Sequence, residues 1–195
     1  MEQKGRVPFA TIYAAVLARV AKGAYRPVHR IGIAKLADEL GVSTTPVREA
    51  LRQLAGRDII VERHREGFYL APLTARAIAG LYKAHGLWMS KVLARSVSQG
   101  PVDRQRRSLW HAFDLAATAS GDFALIAVRR YLDDRLLVLR QHESLIVGRE
   151  KNHAPAFAKA LRDGDHASAR SISRAFHARC AARADRFAEA IDPVR

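Results

Sequence analysis

Cysteine is almost absent from this chain, because Cys180 is the single one among 195 residues. One thiol excludes an intramolecular disulfide and a cysteine metal cluster, so nothing in the sequence points to an oxidising compartment. We expect a cytoplasmic protein in which Cys180 is a small buried hydrophobic residue, with a redox sensor as the alternative.

Long apolar runs are also missing from the sequence. The uncharged residues 7–18 follow two basic residues and superficially resemble a signal peptide. Ile12, Val16 and Val20 nevertheless recur at helical spacing, as in an amphipathic helix packed on a domain. We therefore expect neither a signal peptide nor a membrane-spanning helix.

Catalytic motifs are lacking as well, since no nucleophile and base stand in a known arrangement and no glycine-rich phosphate loop occurs. We therefore expect no enzyme. Seven prolines and 49% apolar residues indicate a folded chain with a sizeable core. The length suits one domain of moderate size or two compact ones, and we predict two.

The charge of the chain is strongly positive, at +14 by formal count. Such a charge attracts phosphate backbones or other anionic surfaces at long range. Residues 1–73 contain 12 Lys and Arg against 7 Asp and Glu, and residues 74–195 contain 21 against 12. A polyanionic partner explains the first excess, whereas the second indicates either an acidic effector or a contribution to solubility alone.

Helical patterns fill the first part of the chain. A first helix is predicted over residues 8–22, and apolar spacing predicts a second from Ile33 to Leu40, which Gly41 can end in the left-handed conformation. Ser43 is a suitable N-cap for a third helix, whose inward residues extend to Leu54. We expect the second and third helices to pack at a steep angle across this short turn.

An extended pattern follows, with residues 59–61 and 68–70 on either side of a polar turn at 65–67. This pattern predicts a β-hairpin, or wing. Pro72 ends the extended run and Thr74 can cap a new helix, so we place a domain boundary between residues 73 and 74.

The fold class predicted is mainly α, with a winged helix-turn-helix domain in residues 1–73 and an all-helical bundle in residues 74–195. Breaks at Gly100-Pro101, Ser120-Gly121, 148–152 and Asp163-Gly164 divide the bundle into about five helices.

The polar face of the third helix suits the major groove of DNA. Arginine can donate two hydrogen bonds to a guanine edge, and threonine offers a hydroxyl to phosphate and a methyl to thymine. An isolated solvated helix with two arginines would look the same, but the neighbouring helix, glycine turn and basic hairpin favour DNA binding. The wing would contact the phosphate backbone or minor groove, an ordinary polar turn being the alternative. The predicted DNA-contacting residues are Lys35, Ser43, Thr44, Thr45, Arg48, Arg52, Arg63, His64, Arg65 and Gly67.

The chain resembles the GntR family of transcription regulators in the segment LADELGVSTTPVREALRQL, residues 36–54, and in the glycine of its wing, Gly67. The resemblance covers residues from about 10 to 72 and implies that Arg48 contacts DNA. Another arginine common in the family is replaced by Thr44, which implies a different operator sequence. The helical remainder resembles the FCD class of effector domain, in its shorter form.

The resemblance to FCD domains also implies a metal site made from an Asp-x-x-Phe-His motif and two later histidines. At the four positions this chain has Trp110, Asp114, Ala154 and Phe176. His153 and His177 lie one residue away from the last two, about 100° around a helix. We therefore expect the metal site to be lost and no cofactor to be bound.

Polar residues on apolar helix faces nevertheless suggest an effector site. Asp114 shares a face with Trp110 and Phe113, and His153 shares one with Phe157, so both polar groups are expected to point inward. A satisfied core aspartate and histidine is the alternative. His85 and Met89 replace an arginine and a glutamate common in the family, which implies an unusual effector or none. The candidate effector-binding residues are His85, His111, Asp114, His153 and His177.

These features predict a homodimeric, sequence-specific regulator, taken to be a repressor, whose two recognition helices enter successive major grooves of a near-palindromic operator. A small effector, for which an acidic compound is one candidate class, would modulate its affinity. One alternative is an all-helical metal-dependent hydrolase using His111, Asp114, His153 and His177. Another is an architectural protein that coats nucleic acid without sequence preference.

Overall fold

The computed structural model describes residues 7–95, 108–148 and 153–192. Along these ranges, three helices and a hairpin precede six further helices. Their bounds are α1 Phe9–Ala21, α2 Ile33–Leu40, α3 Thr44–Ala55, β1 Ile60–Arg63, β2 Gly67–Leu70, α4 Ala75–Arg95, α5 Leu109–Ala119, α6 Phe123–Ile146, α7 His153–Arg162, α8 His166–Ala182 and α9 Ala184–Ile191. We call α1 to β2 the N-terminal unit and α4 to α9 the helical unit.

The turn between α2 and α3 has the predicted geometry. Gly41 is left-handed, with φ of 64°, and its N–H donates to carbonyls in the last turn of α2. Ser43 occupies the N-cap position of α3 in an extended conformation, but its side chain accepts no capping hydrogen bond. The position of the cap is confirmed, while its side-chain hydrogen bond is not formed.

The predicted wing is an antiparallel hairpin in which Arg63 lies opposite Gly67. Its turn spans residues 64–66, one position earlier than predicted, because Arg65 takes the left-handed conformation with φ of 61°. The N–H of Ile31 donates to the carbonyl of Phe68 at 2.8 Å. The segment before α2 therefore lies along the free edge of β2.

The helical unit is built around α4, which packs against α5, α6, α8 and α9. Left-handed Gly121 and Gly164 mark two of the predicted breaks, whereas 100–101 and 149–152 lie outside the described residues. The described residues contain six helices rather than about five, because the chain also breaks at Arg183, between α8 and α9. Neither glycine nor proline marks that break, which is why the sequence pattern did not predict it.

None of the described helices combines the length and the apolar character needed to cross a bilayer.

Helix α6 connects the helical unit to the N-terminal unit. Asp134 forms an ion pair with Arg57, and Arg135 donates to the carbonyl of Asp58. The hydroxyl of Tyr131 lies 3.3 Å from a carboxylate oxygen of Asp58, which is itself left-handed with φ of 56°. Consequently α6 holds the turn that joins α3 to β1.

Candidate DNA-binding surface and buried polar centre

Helix α3 presents two chemically distinct faces. Its apolar face is buried in the N-terminal unit through Val47, Ala50, Leu51 and Leu54. Its opposite face exposes Thr44, Thr45, Arg48 and Arg52, while Ser43 and Lys35 are exposed next to it. The structure therefore places these six predicted residues on the solvent side of α2 and α3.

The two arginines of α3 are in different situations. The Nε of Arg52 lies 3.5 Å from a carboxylate oxygen of Glu62 on β1, so this side chain links α3 to the wing. Arg48 forms no ion pair or side-chain hydrogen bond with any residue in the described ranges. Arg48 is therefore the better placed of the two to bind a base edge, because Arg52 is paired with Glu62.

The wing exposes three of its predicted residues, namely Arg63, His64 and Arg65, while Gly67 is half-buried. The guanidinium of Arg63 lies over the ring of Tyr69, 4.2 Å from its centroid. A cation–π contact of this kind restricts the side chain to one side of the hairpin.

Sequence reasoning gave no role to Arg30, which lies in the connection before α2. Its Nε is 2.7 Å from the point that a Cβ on residue 67 would occupy. The contact is long-range, so no local pattern predicts it, and only the positive charge of Arg30 was a signal.

A second group of polar residues is buried inside the helical unit, where His85 of α4 meets His177 of α8. The Nδ1 of His85 and the Nε2 of His177 are 2.6 Å apart. The Nδ1 of His177 lies 2.6 Å from the carbonyl oxygen of Ser173. A carbonyl oxygen only accepts hydrogen bonds, so this Nδ1 is protonated and donates to it. Neutral His177 then accepts from His85, which leaves the Nε2 of His85 without a proton and without a hydrogen bond.

That bare nitrogen faces Asp133 of α6, at 3.5 Å. Burial acts to raise the pKa of Asp133, but the guanidinium groups of Arg140 and Arg129 hold that pKa below its ordinary value. Arg140 donates to Asp133 at 2.9 Å and lies over the indole of Trp110 at 3.9 Å. We call His85, His177, Asp133, Arg129 and Arg140 the buried polar centre.

The remaining candidate effector residues are more exposed than His85 and His177. Asp114 is 40% exposed and forms an ion pair with Arg129, so the expectation that it points inward is wrong. It lies at the edge of the apolar face of α5. His153 is only half-buried, 3.1 Å from Arg179, and His111 is half-buried near the start of α5.

Two of the four positions that the resemblance to FCD domains assigns to a metal site carry packed aromatic rings, those of Trp110 and Phe176. The ring of Trp110 lies 5.8 Å from that of Phe113 and 6.0 Å from that of Phe176. Within residues 7–95, 108–148 and 153–192, no group of three or more His, Cys, Asp or Glu is arranged to hold a metal ion. The metal-dependent hydrolase therefore has no candidate centre in that part of the chain.

Comparison with known proteins relates the N-terminal unit to a family. The sequence profile described as "Bacterial regulatory proteins, gntR family" matches residues 8–70. Residues 8–70 are thus similar to the GntR family. We call them the GntR region. They contain α1, α2, α3 and the wing, and with them every residue predicted to contact DNA.

Two curated relatives share sequence with the chain. The uncharacterized HTH-type transcriptional regulator YdhC of Bacillus subtilis (strain 168) is 36% identical over 64 residues. This alignment covers 33% of this chain and 29% of the relative. The Nta operon transcriptional regulator of Aminobacter aminovorans is 29% identical over 125 residues, or 63% of this chain and 59% of that protein. The chain thus spans less than two thirds of the length of either relative.

Solved structures share the fold well beyond the GntR region. A crystal structure from Rhodococcus sp. RHA1 described under the name GntR superimposes with a TM-score of 0.69 at 15% identity, covering 90% of this chain and 96% of the other. The E. coli protein McbR/YncC gives a TM-score of 0.63 at 15% identity, with coverages of 89% and 95%. The mainly helical, winged helix-turn-helix fold is confirmed, and the two curated relatives are named as transcriptional regulators rather than enzymes.

Acidification is expected to destabilise the folded chain through His177. Burial lowers the pKa of His177 from 6.5 to about 3, and burial also lowers the pKa of His85. Between pH 6.5 and about pH 3, His177 therefore binds a proton in the unfolded chain but not in the folded chain. The contribution of neutral His177 to stability is therefore complete above about pH 6.5 and declines by about 1.4 kcal/mol per pH unit as the pH falls towards 3, and the burial of His85 acts in the same direction.

Urea unfolding at pH 7, 6 and 5 measures this dependence, and His177→Gln should show a shallower decline than the unchanged chain. Equal stability at all three values of pH would contradict a neutral buried histidine.

Proposed function

We propose that this chain is a sequence-specific DNA-binding transcription regulator. The carrying observation is Arg48, which is exposed and unpaired among the described residues, on the solvent face of α3 within the GntR region. A guanidinium in this position can donate two parallel hydrogen bonds to the major-groove edge of guanine. Thr44 and Thr45, at the start of the same helix, can bind phosphate or thymine, and the wing holds the flanking backbone.

We infer that two copies act together through the helical unit. A single α3 contacts only a few base pairs, whereas a two-fold dimer contacts two half-sites and thereby gains specificity. The helical unit supports this inference by exposing large apolar side chains, including Phe123 at 88% and Leu145 at 84%. The operator would then be a near-palindrome, bound in the cytoplasm, and we take repression as the outcome of occupying it.

We further infer that the helical unit is an effector domain of the FCD class. The alignment to the Nta operon regulator is about twice as long as the GntR region, which extends the relationship into the helical unit. Arg129 and Arg140 of the buried polar centre are partly exposed, and the carboxylate of an acidic effector would compete with Asp114 and Asp133 for their guanidinium groups. No metal cofactor is needed for such binding.

The route from this centre to DNA would be α6. Asp133 faces His85 in the buried polar centre, while the next residue, Asp134, is paired with Arg57 beside the recognition helix. A ligand that shifts α6 therefore acts on the turn between α3 and β1, and changes DNA affinity by its differential binding to the two positions.

Asp134→Asn is expected to loosen that turn. Loss of the partly exposed ion pair with Arg57 should speed amide exchange at Asp58 and Ile59 by roughly two- to fivefold, in line with the modest free energy of such pairs. Hydrogen exchange monitored by mass spectrometry measures this effect. Asp163→Asn, which breaks an exposed ion pair between Lys159 of α7 and the residue that follows this helix, is the control, and equal exchange in both variants would count against the proposed route.

The function itself is tested by selecting bound duplexes from a random library at moderate salt. An enriched inverted repeat is the expected result. Weak binding of all duplexes alike, with an affinity that falls equally with salt, would instead favour the architectural alternative.

A further inference from the structure

We propose that Arg30 is a further DNA-positioning residue, which binds a backbone phosphate beside the wing. The proposal rests on the function proposed above. It starts from the hydrogen bond between Ile31 and Phe68, which fixes the segment before α2 along the edge of β2. The side chain of Arg30 consequently crosses Gly67, with its Nε 2.7 Å from the place of a Cβ there.

The register of the hairpin shows which face Arg30 joins. Arg63 and Gly67 are directly opposite, so side chains at the two positions project from the same face. Glycine leaves a gap in that face, and Arg30 fills it. One side of the wing therefore carries the guanidinium groups of Arg30 and Arg63, with Arg65 in the adjoining turn.

The charges on this face are poorly compensated. Arg30 forms no ion pair with a residue of the described ranges, and the neighbouring carboxylate of Glu66 lies 3.8 Å from Arg63 instead. Like charges that lie close together repel each other in the protein without DNA, and an anion bound between them relieves this repulsion. A phosphate diester fits this need, because a guanidinium can bind two of its oxygens at once.

Backbone contact is favoured over base contact by the position of the side chain. Arg30 lies at the edge of the hairpin rather than on α3, so it would meet the strand that flanks the recognition helix. Its effect should be the same on every sequence, since phosphates carry no base information.

The same contact gives Gly67 a second role. With φ of 112°, residue 67 has a conformation that disfavours any side chain, and a methyl group there would also displace the guanidinium of Arg30. Gly67→Ala should therefore reproduce the loss caused by removing Arg30. The double variant should bind no worse than Gly67→Ala alone.

Fluorescence anisotropy across a salt series tests the proposal with two duplexes, the selected operator and an unrelated sequence. Arg30→Gln is expected to weaken binding to both by roughly five- to tenfold and to reduce the slope of log K against log salt by about one. Arg30→Lys should restore the slope. Arg26→Gln, an exposed arginine of the same connection, is the control for net charge and should leave the slope unchanged. Melting temperatures confirm folding of each variant.

The possible failures are distinguishable. If Arg48→Ala weakens operator binding while Arg30→Gln matches Arg26→Gln, the role of Arg30 is overturned and the proposed function stands. If the unchanged chain prefers no sequence but Arg30→Gln still lowers the salt slope, Arg30 binds phosphate and the regulator proposal fails. Absence of any DNA binding overturns both.

Discussion

Arg48→Ala is expected to weaken binding to the operator by about 1–3 kcal/mol, or roughly 5- to 150-fold, and to relax the preference at one base position. The physical reason is that the variant loses two hydrogen bonds to a guanine edge at once. The other bases do not offer both acceptors to the guanidinium of Arg48, so their binding is weakened less and the preference for guanine falls. The exposed and unpaired state of Arg48 means that its removal breaks no ion pair of the described N-terminal unit. The folded state should therefore be unaffected.

Binding selection repeated with this variant measures both effects, since it reports affinity and base preference together. Arg130→Ala removes the same charge from an exposed position of α6 and should leave the selected sequence unchanged. An Arg48→Ala protein that selects the original operator with full preference would show that Arg48 contacts only phosphate, or no DNA.

The exposed face of α3, our candidate recognition surface, was predictable because its pattern is local. Residues three and four apart share one side of a helix, so Val47, Leu51 and Leu54 sufficed to place Arg48 on the other side. The role of Arg52 was not predictable, because its partner Glu62 lies ten residues further along the chain, on a strand. Which of two equivalent arginines remains available depends on this contact between elements.

The buried polar centre was harder to predict, because helix periodicity gives direction but not depth. Asp114 shares a face with Phe113, yet it lies at the rim and pairs with Arg129. Asp133 does not stand out on an apolar helix face, because a second aspartate, Asp134, follows it and α6 contacts other elements on several sides. A helix packed on more than one side loses the apolar stripe on which sequence reasoning depends.

Two phenylalanines of the helical unit give the largest contrast expected in stability. Phe113 is 1% exposed, and its ring contacts those of His85, Trp110, Phe157, Phe176 and His177 at centroid distances of 5.0–6.0 Å. Phe113→Ala removes a whole ring from this cluster and leaves a cavity that the rigid neighbouring rings cannot close. The free energy of unfolding should fall by about 3–5 kcal/mol.

Phe123→Ala makes the same chemical change at a side chain that is 88% exposed in the single chain, so the free energy of unfolding of the monomer should change by less than about 0.5 kcal/mol. Urea unfolding followed by tryptophan fluorescence compares the two variants directly, since Trp110 adjoins Phe113. The comparison also bears on dimerisation, because Phe123 belongs to the apolar surface that we propose contacts the second copy.

If Phe123→Ala destabilises the protein only at high concentration, where the dimer is populated, the lost free energy comes from association rather than folding. Equal and concentration-independent losses in both variants would contradict the placement of Phe123 at the surface.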